Sequence, residues 1–254
     1  MRADSVRLVG AALLLVIVPM VVVKTVLAAS PTGGASSAAP DGRTLFAVHC
    51  SSCHGTSAQG SKIAPPLINA GAAAVDWYLS TGRMPLAYPE EEPARKESAF
   101  DRREIDALVA YIDSLSVGSA GARGPSIPTV DVRAGDPVHG RQLFAQNCQS
   151  CHGSDGEGNS VGFGWLAPSL YEATPTQVAE AVRFGPGIMP RFGERQLGRH
   201  DFDSLVRYVV TLKAPDDRGG FPLGHIGPVT EGLVGWIFGF GILFLGIKLI
   251  GTKT

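Results

Sequence analysis

The feature that most constrains this chain is a segment of sequence that occurs twice. Residues 42–55, Gly-Arg-Thr-Leu-Phe-Ala-Val-His-Cys-Ser-Ser-Cys-His-Gly, align without gaps to residues 140–153. Further blocks recur in the same order. Ala64-Pro65-Pro66-Leu67 answers Ala167-Pro168-Ser169-Leu170, Met84-Pro85 answers Met189-Pro190, and Asp106 to Tyr111 answers Asp203 to Tyr208. Such self-similarity means two copies of one domain, expected at 38–117 and 137–214 with a Gly/Ser/Pro-rich linker at 118–136. Each copy reads as mostly α. Leu45, Phe46 and Val48 fit a buried stripe on a short helix before the first Cys. Ile105, Leu108, Val109 and Ile112, like Phe202, Leu205, Val206 and Val209, follow the i, i+3, i+4, i+7 spacing of an amphipathic helix. Between these helices, long Gly/Pro-rich stretches cannot be continuous helix. Domains of roughly eighty residues with so few apolar side chains are marginal alone. Each needs something large and apolar at its centre.

All four cysteines fall in the repeated segment, as Cys50-x-x-Cys53-His54 and Cys148-x-x-Cys151-His152. Two thiols three residues apart can each add to a vinyl group of one haem, and the adjacent His then reaches the iron. A zinc site would need further ligands in each copy, and a thioredoxin-like site would need a βαβ pattern, which is lacking here, and does not require the His. The motif pair therefore predicts two covalently bound haem c groups, with His54 and His152 as axial ligands. The chain has four methionines, Met1, Met20, Met84 and Met189, of which the first two lie in the N-terminal segment. Each copy thus holds one Met, at matching places, and Met84 and Met189 are the candidate sixth ligands. His/Met ligation raises the reduction potential and closes the iron to small molecules. His49, His139, His200 and His225 have no counterpart in the other copy and are expected to face solvent.

Two apolar segments frame the repeats. Residues 8–23 are uncharged and follow Arg2 and Arg7, and Leu27-Ala28-Ala29 suits a signal peptidase. Residues 1–29 are therefore a signal or a membrane anchor, with the N-terminus held inside by its arginines. Residues 229–251 read as a transmembrane helix after a 215–228 linker, because at about 1.5 Å rise a segment from Gly232 to Gly251 covers roughly the 30 Å hydrocarbon core. Nothing else in the chain is large enough to wrap it as a core helix. Lys248 and Lys253 place the C-terminus in the cytoplasm, so both repeats lie on the extracytoplasmic side of the cell membrane. A net charge of −1 with no Lys/Arg block makes nucleic acid a poor candidate partner.

On these residues both halves resemble class I cytochrome c domains. Gly42 and Phe46, with Gly140 and Phe144, match that fold's N-terminal helix; Leu108 with Tyr111, and Leu205 with Tyr208, match the C-terminal helix that crosses it. The resemblance implies that Pro65 and Pro168 supply the carbonyl that accepts the ring N–H of the axial His. The whole chain resembles a narrower family, the dihaem cytochrome c subunit of the actinobacterial-type cytochrome bc complex. The approach to the second apolar segment (residues 219–233) carries this likeness, as does Gly82-Arg83-Met84-Pro85 followed by an acidic insert. It implies an electron carrier inside a menaquinol-oxidising quinol–cytochrome c reductase of the translocase class. Its implied partners are the cytochrome b subunit, the Rieske iron–sulfur subunit as donor, an aa3-type cytochrome c oxidase as acceptor, and membrane lipid. Residues 88–99 are absent from the second copy, and Glu90-Glu91-Glu92 there reads as a solvated loop or a docking patch. The rival readings are an anchored dihaem subunit of another respiratory oxidase, such as the cbb3 type, and a dihaem catalytic cytochrome. The C-terminal span argues against the first and a Met for each haem against the second.

Overall fold

A computed structural model describes residues 41–118, 123–162, 164–213 and 228–251. The segment 1–29, residues 119–122 of the first linker, and residues 215–227 of the second with His225 lie outside the described residues. The first half contains α1 (Gly42–His49), α2 (Ser51–His54), α3 (Ala72–Ser80) and α4 (Arg102–Ser114). The second contains α5 (Pro137–Asn147), α6 (Gln149–His152), the hairpin β1 (Asn159–Gly162) and β2 (Trp165–Ala167), α7 (Pro175–Phe184) and α8 (Arg199–Thr211). A last helix, α9, runs from Pro228 to Gly251.

Each half is built on a crossing of its first and last helices. The Asp41 carboxylate accepts from the N–H groups of Arg43 and Thr44 and so caps α1. Asp101 and Glu104 form a reciprocal capping box on α4. Where α1 crosses α4 the backbones nearly touch: a Cβ on Gly42 would lie 2.0 Å from the Ala107 carbonyl oxygen. In the second half a Cβ on Gly140 would lie 2.0 Å from the Ser204 oxygen. Only glycine permits this approach, which is why the repeats share it. Next to the crossing, Phe46 and Phe144 are each 1% exposed and tilt against Tyr111 and Tyr208 at 5.4 Å. Ile105, Leu108, Val109 and Ile112 complete one core; Phe202, Leu205, Val206 and Val209 complete the other. Val48 does not join them. It is 68% exposed, because two residues beyond Phe46 the helix has turned it to the far side.

Helices α3 and α7, and the β hairpin, were not foreseen. Thr174 and Gln177 form a capping box that starts α7, with Pro175 in its first turn. The two helices pack against each other and join the halves. Phe184 of α7 lies 5.4 Å from the Trp77 ring and 5.9 Å from Tyr78. Arg95, from the insert, donates to Gln177 at 2.7 Å, and Gln177 in turn donates to the Ser80 hydroxyl at 3.3 Å. The acidic insert thus fastens one half to the other through its arginine. Of its glutamates, Glu91 folds back on the loop itself, accepting from the Ala87 N–H at 2.9 Å and from Lys96 at 3.4 Å.

Among its described side chains, helix α9 buries none against the rest of the protein. Its segment Gly232–Gly251 is long and apolar enough to cross a membrane and has none of its length buried against the rest of the protein. Trp236, Phe238, Ile242 and Phe244 stand exposed along it. An apolar helix that finds no protein core is suited to lipid.

Candidate haem-binding sites

In each half the first helix ends at a cysteine. Cys50 closes α1 by donating its N–H to the Phe46 carbonyl, and its own carbonyl accepts from Cys53 at 3.2 Å and from His54 at 2.9 Å. Cys148 repeats this arrangement with Phe144, Cys151 and His152. One tight turn therefore carries two cysteines and a histidine directly off the glycine-lined crossing. All four cysteines are half-buried and none is in a disulfide. Burial, and then the neighbouring Cys53, pushes the Cys50 thiol up to about 11; burial and Cys151 do the same to Cys148.

The histidines are held by their Nδ1 atoms. His54 Nδ1 lies 2.8 Å from the Pro65 carbonyl oxygen, and His152 Nδ1 lies 3.1 Å from that of Pro168. A carbonyl only accepts, so each Nδ1 carries the proton and each Nε2 keeps its lone pair for a metal. Burial also holds the His152 pKa below the ordinary value, which favours the neutral, ligating form. Met84 packs on the same apolar cluster as Cys50, and Met189 on the same cluster as Cys148. The Met84 loop is tied down through its backbone, since Met84 N donates to the Tyr78 carbonyl at 3.1 Å. Just before it, a Cβ on Gly82 would come within 2.2 Å of the Lys96 oxygen, so the insert closes over this loop. Free thiols, an oriented imidazole and a thioether around one apolar core form the donor set that a covalently held haem c requires.

The burial of Arg83 and of Glu180, and the pairing of His139, were not foreseen from the sequence. Arg83 is 7% exposed, lies over the Trp77 ring at 4.2 Å, and has a buried Nη1 without a hydrogen-bond partner. An orphaned cation beside Met84 suits a haem carboxylate. Glu180 of α7 is fully buried against α3, and neither of its oxygens meets a donor. Burial, then the nearby Asp76 carboxylate, pushes its pKa up to about 10, so it is a neutral acid at pH 7. Asp76 itself is paired with Arg102, which also binds Asp106. Of the histidines outside the motifs, His49 is exposed as expected. His139 is not: it is half-buried and donates to Asp201 at 2.8 Å, because the close crossing of α5 over α8 brings the two first turns together.

The comparisons with known proteins agree with this arrangement. The cytochrome c family model matches residues 39–116, and the model for subunit III of cbb3-type cytochrome c oxidase matches residues 135–209. The cytochrome bc1 complex cytochrome c subunit of Mycobacterium tuberculosis is 38% identical over 224 residues, covering 87% of this chain and 80% of the relative. The chain belongs to the family of cytochrome bc1 complex cytochrome c subunits. Another member, from Corynebacterium diphtheriae, is 31% identical over 227 residues, 84% of this chain and 80% of its own. The FixP subunit of the cbb3-type oxidase of a Bradyrhizobium strain is 29% identical over 195 residues, 69% of this chain. Membership makes the chain an electron-transfer cytochrome subunit with covalently bound haem c and a membrane-anchoring helix, α9.

Proposed function

We propose that each half, 38–117 and 137–214, holds one haem c. Cys50 and Cys53 would attach the first, with His54 and Met84 as axial ligands; Cys148 and Cys151 would attach the second, with His152 and Met189. The observation that carries this reading is that both halves repeat one arrangement, a Cys-x-x-Cys-His turn, a proline carbonyl on His Nδ1 and a Met on the same core. When bound, haem c supplies reversible one-electron chemistry at its iron. The protein's part is to hold the donors still and keep water away from the apolar side of the site. The Pro65 and Pro168 carbonyls keep each imidazole in one tautomer and one orientation. The α3–α7 contact keeps the two halves in a fixed mutual position, which serves transfer between them.

The chain is on this reading a fixed wire in a menaquinol-oxidising quinol–cytochrome c reductase. With cytochrome b as neighbour, the first half receives electrons from the Rieske iron–sulfur protein and the second passes them to an aa3-type oxidase. Both halves lie on the extracytoplasmic side, with α9 crossing to a cytoplasmic C-terminus. The relatives named as bc1 complex subunits support the complex, and Lys248 near the end of α9 supports the orientation. Anchoring replaces diffusion of a soluble carrier with a high effective concentration at both docking sites. Deleting the chain should abolish quinol-driven oxygen uptake in isolated membranes by the cytochrome route, without rescue by added soluble cytochrome c. Surviving uptake would refute the assignment. A second reading, a subunit of a cbb3-type oxidase, is favoured by the model matched at 135–209. Co-purification of the oxidase core without cytochrome b would select it.

A further inference from the structure

The crossing of α5 over α8 assembles a second, unrelated donor set on the surface of the second half. His139 stands in the first turn of α5, His200 and Asp201 in the first turn of α8. One ligand atom from each lies within 4.8 Å of the others. His139 Nε2 is 2.8 Å and His200 Nδ1 3.9 Å from the same Asp201 oxygen, and the two imidazole rings are 5.6 Å apart and 31° from parallel. Ligand atoms around a tetrahedral zinc ion are roughly 3.3 Å apart, so small side-chain rotations close this group on one ion. The backbone beneath is rigid, since Gly140, next to His139, lets the α5 backbone touch that of α8 at Ser204. The neighbouring cation is already engaged, with Arg199 donating to Asp203 at 2.7 Å.

We propose that His139, His200 and Asp201 bind a divalent transition-metal ion, with Zn²⁺ as the representative ion and water in the remaining position. The donors decide the class. Two imidazoles and one carboxylate suit Zn²⁺, Cu²⁺ and Ni²⁺, whereas Ca²⁺ and Mg²⁺ need oxygen-rich sets. Both helices present their positive ends here, which disfavours any cation held by charge alone and leaves only ions that bond strongly to nitrogen. The site belongs to the second half alone. By the repeat alignment the matching residues in the first half are Asp41, Arg103 and Glu104; Asp41 and Glu104 serve helix caps, and none of the three offers an imidazole. An ion here would clasp the first turns of α5 and α8, the helices that carry the Cys148 turn and the core behind it.

The test is a Zn²⁺ titration against a chromophoric chelator, using the full haem-loaded chain in detergent, with Cu²⁺ electron paramagnetic resonance in parallel. The unaltered protein should take up one equivalent more than the H139Q/H200Q double variant. H200Q alone should weaken binding by more than about tenfold, the loss already caused by removing an outer-shell partner. Bound Cu²⁺ should show coupling to two nitrogens in the unaltered protein and one in H200Q. His200 is 68% exposed at its side chain, so H200Q leaves the fold alone and decides the matter even if H139Q disturbs it. Equal Zn²⁺ uptake and affinity in the unaltered protein and H200Q would overturn the proposal and leave an ordinary His139–Asp201 hydrogen bond. H49Q, in the other half, should change nothing.

Discussion

Replacing Glu180 with Gln tests whether a neutral carboxylic acid lies between the two halves. In the folded protein Glu180 keeps its proton up to about pH 10, whereas in the unfolded chain it ionises near the ordinary 4.5. Its contribution to stability is therefore fully present below pH 4.5. It declines as pH rises, because the unfolded chain releases a proton that the folded one retains, and it is lost by the time pH passes 10. Between those limits the slope is about 1.4 kcal/mol per pH unit. Glutamine has nearly the same shape, can donate its amide N–H toward Asp76, and does not titrate. Between pH 6 and pH 8 the variant should gain on the unaltered protein by roughly 3 kcal/mol. Titrations of groups that do not interact with residue 180 cancel in the difference. For a protein of this size that gain is a relative rise in Tm of roughly 5–10 °C. The assay is thermal unfolding of the detergent-solubilised, haem-loaded protein and its E180Q variant at both pH values, followed by circular dichroism. A difference between the two proteins that does not change with pH would show that Glu180 is ionised, or hydrated, in the folded state, and would refute the reasoning.

Gly140→Ala should cost about 1–3 kcal/mol or more, because its Cβ would meet the Ser204 carbonyl at 2.0 Å and α5 would have to lift from α8; denaturant unfolding of the second half measures this. Met84→His and Met189→His should each lower one haem's reduction potential while the iron stays low-spin, seen by optical redox titration; unchanged potentials would make the methionines packing residues. Arg83→Gln should lower the potential of the first haem and leave the second unchanged, because a buried positive charge disfavours the oxidised form.

How far the sequence was legible depended on how local each signal was. The Cys-x-x-Cys-His turn is covalently local, and the repeats identify its context. Helices α1, α4, α5 and α8 each present one face to a core and one to water, so Ile105 or Phe202 at helical spacing could be read directly. Helices α3 and α7 escaped because they are covered from two sides. Ala73, Val75, Asp76, Trp77 and Leu79 of α3 are all buried, so no polar face alternates with an apolar one. In α7 the polar Gln177 and Glu180 are themselves buried, which inverts the usual pattern. The links Asp76–Glu180 and Arg95–Gln177 join residues far apart in the chain and have no counterpart in a second copy. His139 and His200 lacked a repeat partner for the same reason, yet the glycine-lined crossing that the repeats do share is what brings them together.

The most direct test of a two-site wire is to disable the second haem and watch both ends. In a C148A/C151A variant purified with its complex, the denatured chain should keep the mass of one haem, where the unaltered chain keeps two. Adding menaquinol to the variant complex should still reduce the remaining c-type haem, because the first half still meets its donor. Electron flow to oxygen through the associated oxidase should stop. If oxygen uptake continued at the unaltered rate, the second half would not lie on the path and the account would be contradicted at its centre.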